Sequence, residues 1–417
     1  MGVIVQKYGG SSLASAERIR AVAERIVASR RRADGLVVVV SAMGDTTDEL
    51  LQLARQVVDE PDDREMDLLL STGELISCTL VTMALRARDC PAISLTGAQA
   101  GIRTDANHSR ARIIAVDPSR LRRELAAGKV VIVAGFQGIT DEFDITTLGR
   151  GGSDTTAVAL AAILRAEVCE IYTDVDGVFT ADPRLEPRAR QLAEIDYDEM
   201  LELAQQGARV MHPRAVELGS VYRIPILVAS SFDSRPGTLI HGITDAGQDR
   251  GQAMEIRNKV RGIAHDTNVA KITVVGVPDR PGIASALFRP LAEASISVDV
   301  IVQNASLEGV TDLSFTVART DLPRALRLVE PVAATVGARK VVSATDLAKV
   351  SIVGTGIHSA PGYAMRMFQA LAERGVNIEM ITTSEIRITC IVGADRVVDA
   401  VQALHEAFRL EQPDLQG

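Results

Sequence analysis

The chain has 417 residues, 47% of them hydrophobic, enough for two or three domains with cores of their own. Its 54 acidic against 45 basic residues leave a net charge of −9, and with no Trp and only 3% aromatics it offers neither the basic face nor the stacking platforms of a nucleic-acid binder. No apolar stretch looks long enough to span a membrane, and the chain enters a strand at once without a signal-peptide pattern, so a cytoplasmic protein with no membrane partner is expected.

The first predicted strand, 3–6, runs into Lys7-Tyr8-Gly9-Gly10-Ser11-Ser12 and then a helical pattern over 15–30. A Lys and a Gly pair thus stand where a strand gives way to a helix N-terminus, a place where amides and positive charge hold phosphate. The chain has six Lys in all, so this one is a notable choice. There is no GK[ST] triplet and no dinucleotide fingerprint, and taken alone the segment also fits an ordinary turn with a surface Lys. Further strands are expected over 36–41, 92–95, 130–135, 170–173 and 226–229, with helices over 46–58, 64–88, 118–127, 153–166, 196–206 and 212–221. Alternation of this kind with nearly all-apolar strands predicts an α/β fold, a mostly parallel sheet covered by helices on both faces, with ligands at the carboxyl ends of its strands.

A second motif, Thr146-Thr147-Leu148-Gly149-Arg150-Gly151-Gly152-Ser153-Asp154-Thr155-Thr156, leads into a helix of small and apolar residues. Ser153 or Asp154 is expected to cap that helix, the glycines expose amides, and Arg150 offers a planar fork, the parts of an anion site. Cys78, Cys90, Cys169 and Cys390 are scattered without a CxxC pair, which predicts buried reduced thiols and no resident metal. From 242 to 261 the composition turns polar. Beyond it lies an internal repeat: Ala270-Lys271-Ile272-Thr273-Val274-Val275-Gly276 matches Ala348-Lys349-Val350-Ser351-Ile352-Val353-Gly354, and Pro281-Gly282 with Leu291-Ala292-Glu293 matches Pro361-Gly362 with Leu371-Ala372-Glu373. Each copy reads strand, Pro-Gly turn, helix, strand, strand, helix.

Residues 7–12 and 146–156 together resemble the two signatures of aspartate kinases, which have the amino-acid kinase fold. The resemblance extends through Val40-Ser41-Ala42-Met43-Gly44 with Thr47, Ser71-Thr72-Gly73-Glu74, Gly135-Phe136-Gln137-Gly138, residues 172–184 and Gly207-Ala208-Arg209-Val210-Met211-His212-Pro213. The repeat resembles the ACT domain, a ferredoxin-like module that binds amino acids. The implied layout is a kinase domain over 1–245, a linker and first regulatory strand over 246–264, and ACT domains over 265–342 and 343–417.

The resemblance also implies roles. Lys7, Ser41, Arg150 and Asp154 would be catalytic, with Lys7 bridging the β- and γ-phosphates. ATP would be held by Lys7, Gly9, Gly10, Ser11, Thr173, Asp174, Phe179, Asp182, Arg184 and Arg209. Aspartate would be held by Ser41, Thr47, Glu74, Arg150, Gly151, Gly152, Ser153 and Asp154, Arg150 meeting its α-carboxylate and Glu74 its ammonium. Mg2+ would ride on the ATP phosphates. An effector, lysine and/or threonine, would bind at Asp279, Gly282, Ile283, Ala284 and Gln303, with a second set at Asn377, Ile378, Thr383 and Ser384. Tyr8 and Ser12 depart from the commoner Phe and Thr, and Arg209 stands where many relatives have Lys.

The implied reaction is ATP-dependent phosphorylation of the aspartate side-chain carboxylate, the first step toward lysine, threonine and methionine. An aspartate carboxyl, with a pKa of about 3.9, is ionised at neutral pH and needs no general base. His212 therefore reads as a structural contact at a helix start, and His108 as a loop residue that orders the rim of the site. Met254-Glu255 resembles an internal start, so either a homo-oligomer or an α2β2 assembly with a separately translated regulatory chain is implied. Glutamate or N-acetylglutamate as acceptor, and an amino-acid sensor without activity, are the alternative readings.

Overall fold

The computed structural model describes residues 2–243, 260–304, 309–358 and 360–412. Met254 and Glu255, with most of the expected linker, lie outside them. Within the described residues the chain forms two compact units: one built from residues 2–179, Gln191–Gln205 and the stretch from Arg209, the other from Thr180–Arg190, Gln206–Ala208 and the C-terminal repeats.

In chain order the first unit opens with β1 (Val3–Tyr8), α1 (Ala16–Arg30), β2 (Gly35–Val40), α2 (Thr46–Val57), α3 (Asp63–Arg86) and β3 (Ala92–Leu95). It continues with β4 (Ile102–Thr104), β5 (Ile113–Val116), α4 (Ser119–Ala126), β6 (Val130–Ala134), β7 (Gln137–Ile139), β8 (Ile145–Thr147), α5 (Gly152–Leu164) and β9 (Val168–Thr173). It closes with β10 (Glu194–Ile195), α6 (Tyr197–Gln205), α7 (Pro213–Tyr222), β11 (Ile226–Ser230) and β12 (Thr238–Ile240). Eight strands make one sheet in the order β10-β12-β11-β9-β1-β2-β6-β3, parallel except where β12 runs against β11. The β-branched runs of β2 and β6 are buried along their whole length, as central strands covered on both faces must be. Because β1 lies between β2 and β9 in parallel register, the turns after all three strands emerge at one edge.

A second sheet, β5-β4-β7-β8, was not expected from the sequence. Its strands have three or four residues each, too few for an alternation to register. The expectation that no stretch is long and apolar enough to span a membrane is corrected by α3, which has that length and composition. Half of its most apolar window is buried, and Cys78, Val81 and Leu85 pack with Val38, Val40 and Ile132 in the core. It is the core helix of this unit, and it carries Asp67 and Glu74 inward.

The second unit contains β13 (Gly262–Pro278), α8 (Ile283–Glu293), β14 (Val298–Gln303), β15 (Val310–Ala318), α9 (Leu322–Val336), β16 (Lys340–Val353), α10 (Tyr363–Glu373), β17 (Met380–Thr383), β18 (Arg387–Gly393) and α11 (Val397–Ala407). Both repeats share one six-stranded antiparallel sheet, β14-β15-β13-β16-β18-β17. Its two long central strands serve both copies. Val269–Pro278 of β13 pairs with β15, while Gly262–Asp266 pairs with Val353–Lys349 of β16, the stretch that also pairs with β18. The first half of β13 therefore completes the second repeat, and the first half of β16 completes the first. Phe315 and Leu287 centre one core, and Met367, Leu371 and Phe408 the other. Ala181 belongs to the latter core, and Thr180 accepts a hydrogen bond from the Ile263 amide at 2.8 Å.

This interlocking predicts how the repeats behave when separated. A fragment of residues 343–417 lacks Gly262–Asp266, so the stretch Lys349–Val353 loses the strand on one side and the buried Ile263 beside it. It should show no cooperative thermal transition by circular dichroism, whereas residues 260–417 should show one. A cooperative melt of the shorter fragment would mean that the exchanged strand is dispensable.

Candidate functional site

Lys7 is the penultimate residue of β1, and its neighbours in register are Val39 on β2 and Ile171 on β9. Alternation sends Gln6 and Tyr8 to the opposite face. There Tyr8 stacks on Tyr172 with centroids 5.0 Å apart, and Gln6 donates to Glu170 Oε2 at 2.7 Å and to Ser29 Oγ at 2.9 Å. This buried polar set anchors the strand beneath the turn. The turn itself is leashed on both sides: Gly9 N–H donates to Tyr172 O at 3.1 Å, and Gly44 N–H to Gly10 O at 3.0 Å. A Cβ on Gly10 would lie 2.8 Å from Ala42 O, so only glycine lets the turns after β1 and β2 close on each other.

The run after β8 reaches the same place from another direction. Gly149 and Gly151 have φ of 76° and 69°, and Gly151 is the N-cap of α5. The expectation that Ser153 or Asp154 caps this helix is corrected: a left-handed glycine ends the loop, no side chain caps it, and Ser153 and Asp154 are buried inside the first turn. The left-handed backbone turns the chain so sharply that helical geometry begins two residues early. Asp154 thereby projects to Lys7, whose Nζ stands 2.7 Å from Oδ1. The ammonium is off the line of a hydrogen bond, so the contact is one of charge. Gly135 allows this approach, since a Cβ there would sit 2.8 Å from Ser153 Oγ, and Phe136 beside it takes a left-handed φ of 69°.

Glu74 enters from α3. Gly73 makes this possible, because a Cβ on it would lie 2.9 Å from the Ala42 methyl. Glu74 is 3% exposed, and its Oε1 accepts from the Ala42 amide at 3.2 Å. Its Oε2 is buried with no hydrogen-bond partner among the described residues, and burial pushes the carboxyl up to about 7. Ser77 Oγ donates to Ser41 O at 2.7 Å, so α3 also sets the turn that carries Ser41, and Thr47 lies half-buried in the first turn of α2. Arg150 is exposed, and no hydrogen bond or ion pair is made by its guanidinium among the described residues. The end of β1 thus carries an ammonium that meets Asp154 of α5, α3 brings a buried carboxylate to the Ala42 amide after β2, and the loop before α5 carries an exposed guanidinium.

Thr173 ends β9 and donates to Asp174 Oδ1 at 3.1 Å, and Phe179 bridges to Gln191. Asp182 and Arg184 lie in the second unit, paired to each other at 2.7 Å, which holds the Asp182 carboxyl below its ordinary range. Arg209 is an exposed residue of the first unit. His212 is the N-cap of α7, its Nδ1 accepting from the Arg214 amide at 3.3 Å, and its ring covers Gly151. Burial lowers its pKa, against the pull of Asp154.

In the repeats, Gly282 and Gly362 occupy equivalent left-handed positions, φ 94° and 101°, each opening a helix, and a Cβ on either would meet no side chain within 4 Å. Asp279 and Ala284 are exposed near the first, Ile283 is buried, and Gln303 is exposed at the end of β14. In the second copy Asn377 and Thr383 are exposed, Ile378 packs on the core, and Ser384 Oγ is buried without a hydrogen-bond partner among the described residues.

Sequence reasoning missed Asp67, Glu170 and Gln6, none of which sits in a glycine-rich motif. A usable signal existed for one of them: Asp67 precedes Glu74 by seven residues, two helical turns, and so shares its buried face.

Residues 2–230 match the amino acid kinase family, and residues 272–331 and 350–408 each match the ACT domain. The aspartokinase of Mycolicibacterium smegmatis is 51% identical over 418 residues, covering 99% of this chain and 98% of that protein. Among solved structures, E. coli aspartokinase III in complex with aspartate and ADP, described as the R-state, is 26% identical with a TM-score of 0.81, covering 97% of this chain and 99% of that one. The same enzyme with lysine and aspartate, described as the T-state, is 28% identical with a TM-score of 0.72 over the same shares.

The state of Glu74 is measurable. A carboxyl held near 7 when folded and about 4.3 when unfolded binds extra proton in the folded state, so its contribution is present below the unfolded value and lost as pH rises toward 7. Glu74→Gln should remove that slope, so that its stability relative to wild type increases by about 3 kcal/mol between pH 4 and 8 in urea titrations. A difference independent of pH would place the carboxyl in its ordinary range.

Proposed function

This chain belongs to the amino acid kinase family and, within it, to the aspartokinases, and from that premise we propose that it transfers the γ-phosphoryl group of ATP to the side-chain carboxylate of L-aspartate, forming 4-phospho-L-aspartate. The observation that carries the reading is the meeting of Lys7 with Asp154, which joins the two glycine-rich turns in one place. The acceptor is already an anion, so the barrier lies in bringing it to a polyphosphate. Lys7 and the amides of Gly9, Gly10 and Ser11 offset the phosphate charge. Asp154 steadies the ammonium until nucleotide arrives.

Arg150 binds the α-carboxylate of the acceptor through its planar fork, and Glu74 takes the ammonium on its vacant Oε2. An arriving ammonium favours the ionised form of that carboxyl, so amine binding and proton release are linked. Ser41, Thr47, Gly151, Gly152 and Ser153 align the side-chain carboxylate with the transferring phosphorus. Thr173, Asp174, Phe179 and Arg209 of the first unit serve the nucleotide. Among the described residues there is no cluster of three or more His, Cys, Asp or Glu able to hold a metal. Mg2+ would arrive on the phosphate oxygens of ATP, where it would supply positive charge beside the transferring group.

The repeats regulate this activity by binding lysine and/or threonine at Asp279, Gly282, Ile283, Ala284 and Gln303, with a second site at Asn377, Ile378, Thr383 and Ser384. The left-handed glycines that open α8 and α10, with unoccupied space beside them, support the reading, since helix N-termini attract carboxylates. The working form is an oligomer in the cytoplasm, either homomeric or with a separately translated regulatory chain.

The test is acyl-hydroxamate formation from ATP, Mg2+ and hydroxylamine with aspartate, glutamate or neither. Product with aspartate alone is expected, and product with glutamate alone would overturn the acceptor assignment. Lys7→Ala should lower turnover by at least about 100-fold while lysine or threonine binding, measured by calorimetry, persists.

A further inference from the structure

Asp67 is fully buried, yet lies in none of the motifs discussed above. Its carboxylate is also fully engaged. Oδ1 and Oδ2 each accept from the Ser109 amide at 3.0 Å, Oδ2 faces His108 Nδ1 at 2.9 Å, and Oδ1 accepts from the Thr147 hydroxyl. Thr147 is the last residue of β8, three positions before Arg150. Its carbonyl in turn accepts from the Ala111 amide at 2.9 Å. From the other side, Arg214 donates to Leu148 O at 2.9 Å and to Ala111 O at 3.1 Å. The start of the Arg150 loop is therefore clamped between an acid on α3 and a base on α7. Gly149 completes the clamp, since a Cβ there would lie 3.0 Å from Ser109 O.

Asp67 and Glu74 are seven residues apart on one rigid helix and share its inward face. We infer that α3 acts as a ruler for the acceptor: Glu74 meets the ammonium directly, and Asp67, through Thr147 and the Ser109 loop, fixes how far away Arg150 meets the α-carboxylate. Asp67 is thus a positioning residue that governs acceptor affinity through the α-carboxylate contact. A free-standing structural role would weaken the whole unit without preference. The ruler weakens acceptor recognition alone, because the nucleotide turn after β1 is anchored separately, by Gln6, Glu170 and Tyr172.

This inference rests on the aspartate-kinase reading, and the experiment separates the two. Hydroxamate kinetics are measured for wild type, Asp67→Asn, Thr147→Val and Thr147→Ser, with aspartate binding followed by calorimetry. Asp67→Asn and Thr147→Val should raise the KM for aspartate on the order of tenfold and leave the KM for ATP within about twofold. Thr147→Ser keeps the hydroxyl and should stay near wild type. If Asp67→Asn does not fold, the Thr147 pair decides. Unchanged aspartate KM, or equal rises for aspartate and ATP, in variants of an active wild type would overturn the inference and leave the reading standing. A wild type that neither forms aspartyl hydroxamate nor binds aspartate would overturn both.

Discussion

The ion pair between Lys7 and Asp154 is the constraint on which the rest of the first unit depends. It joins the end of a central strand to the first turn of a helix that follows a different sheet, and it holds only if both backbones come close. Three close approaches make that possible. Gly10 packs on the Ala42 carbonyl, Gly73 on the Ala42 methyl, and Gly135 on Ser153. Each stands where a methyl group would push one of the converging turns away. The parallel order β9-β1-β2 supplies the common edge, and the glycines remove the last few ångströms.

Three buried carboxylates in this unit have different fates. Asp67 is saturated by an amide, a hydroxyl and an imidazole, the condition of a group whose task is to hold its neighbours still. Asp154 is matched by one ammonium. Glu74 keeps an oxygen without a hydrogen-bond partner among the described residues, which costs stability. On one helix face, then, one acid has both oxygens engaged and the other has only one.

The second unit is built on a different economy of strands. Its two repeats do not stand side by side as closed modules, because β13 and β16 each run through both, and each copy borrows an edge from the other. Cross-sheet ion pairs, Lys271 with Glu379 at 2.8 Å and Lys349 with Asp299 at 2.7 Å, also tie one copy to the other. Into the same unit the chain delivers Thr180–Arg190, through Ala181 in the core and Leu185, whose carbonyl accepts from Gln402. Asp182 and Arg184 therefore ride on the fold of the repeats, although the chain before Thr180 and the stretch Gln191–Gln205 belong to the first unit.

What the sequence determined by itself was whatever repeats with a period or compresses into a motif. The all-apolar strands, the amphipathic helices, the strand-Lys-Gly-Gly turn, the Gly-Arg-Gly-Gly run and the duplicated Pro-Gly-helix unit were all legible, because each is a local solution to burial or to backbone geometry. Tertiary structure decided the rest. That a glycine rather than Ser153 or Asp154 caps α5 follows from the turn the loop must make to reach Lys7. The short strands β4, β5, β7 and β8 exist only because each finds a partner, as no three-residue stretch declares itself. Asp67 was invisible because its partners, His108, Ser109 and Thr147, lie some forty and eighty residues away, and a buried acid is recognised by what surrounds it. The exchange of strands between the repeats has the same origin: sequence records the order of segments along the chain, while hydrogen-bond pairing and the burial of Ile263 against the second core decide which segments become neighbours.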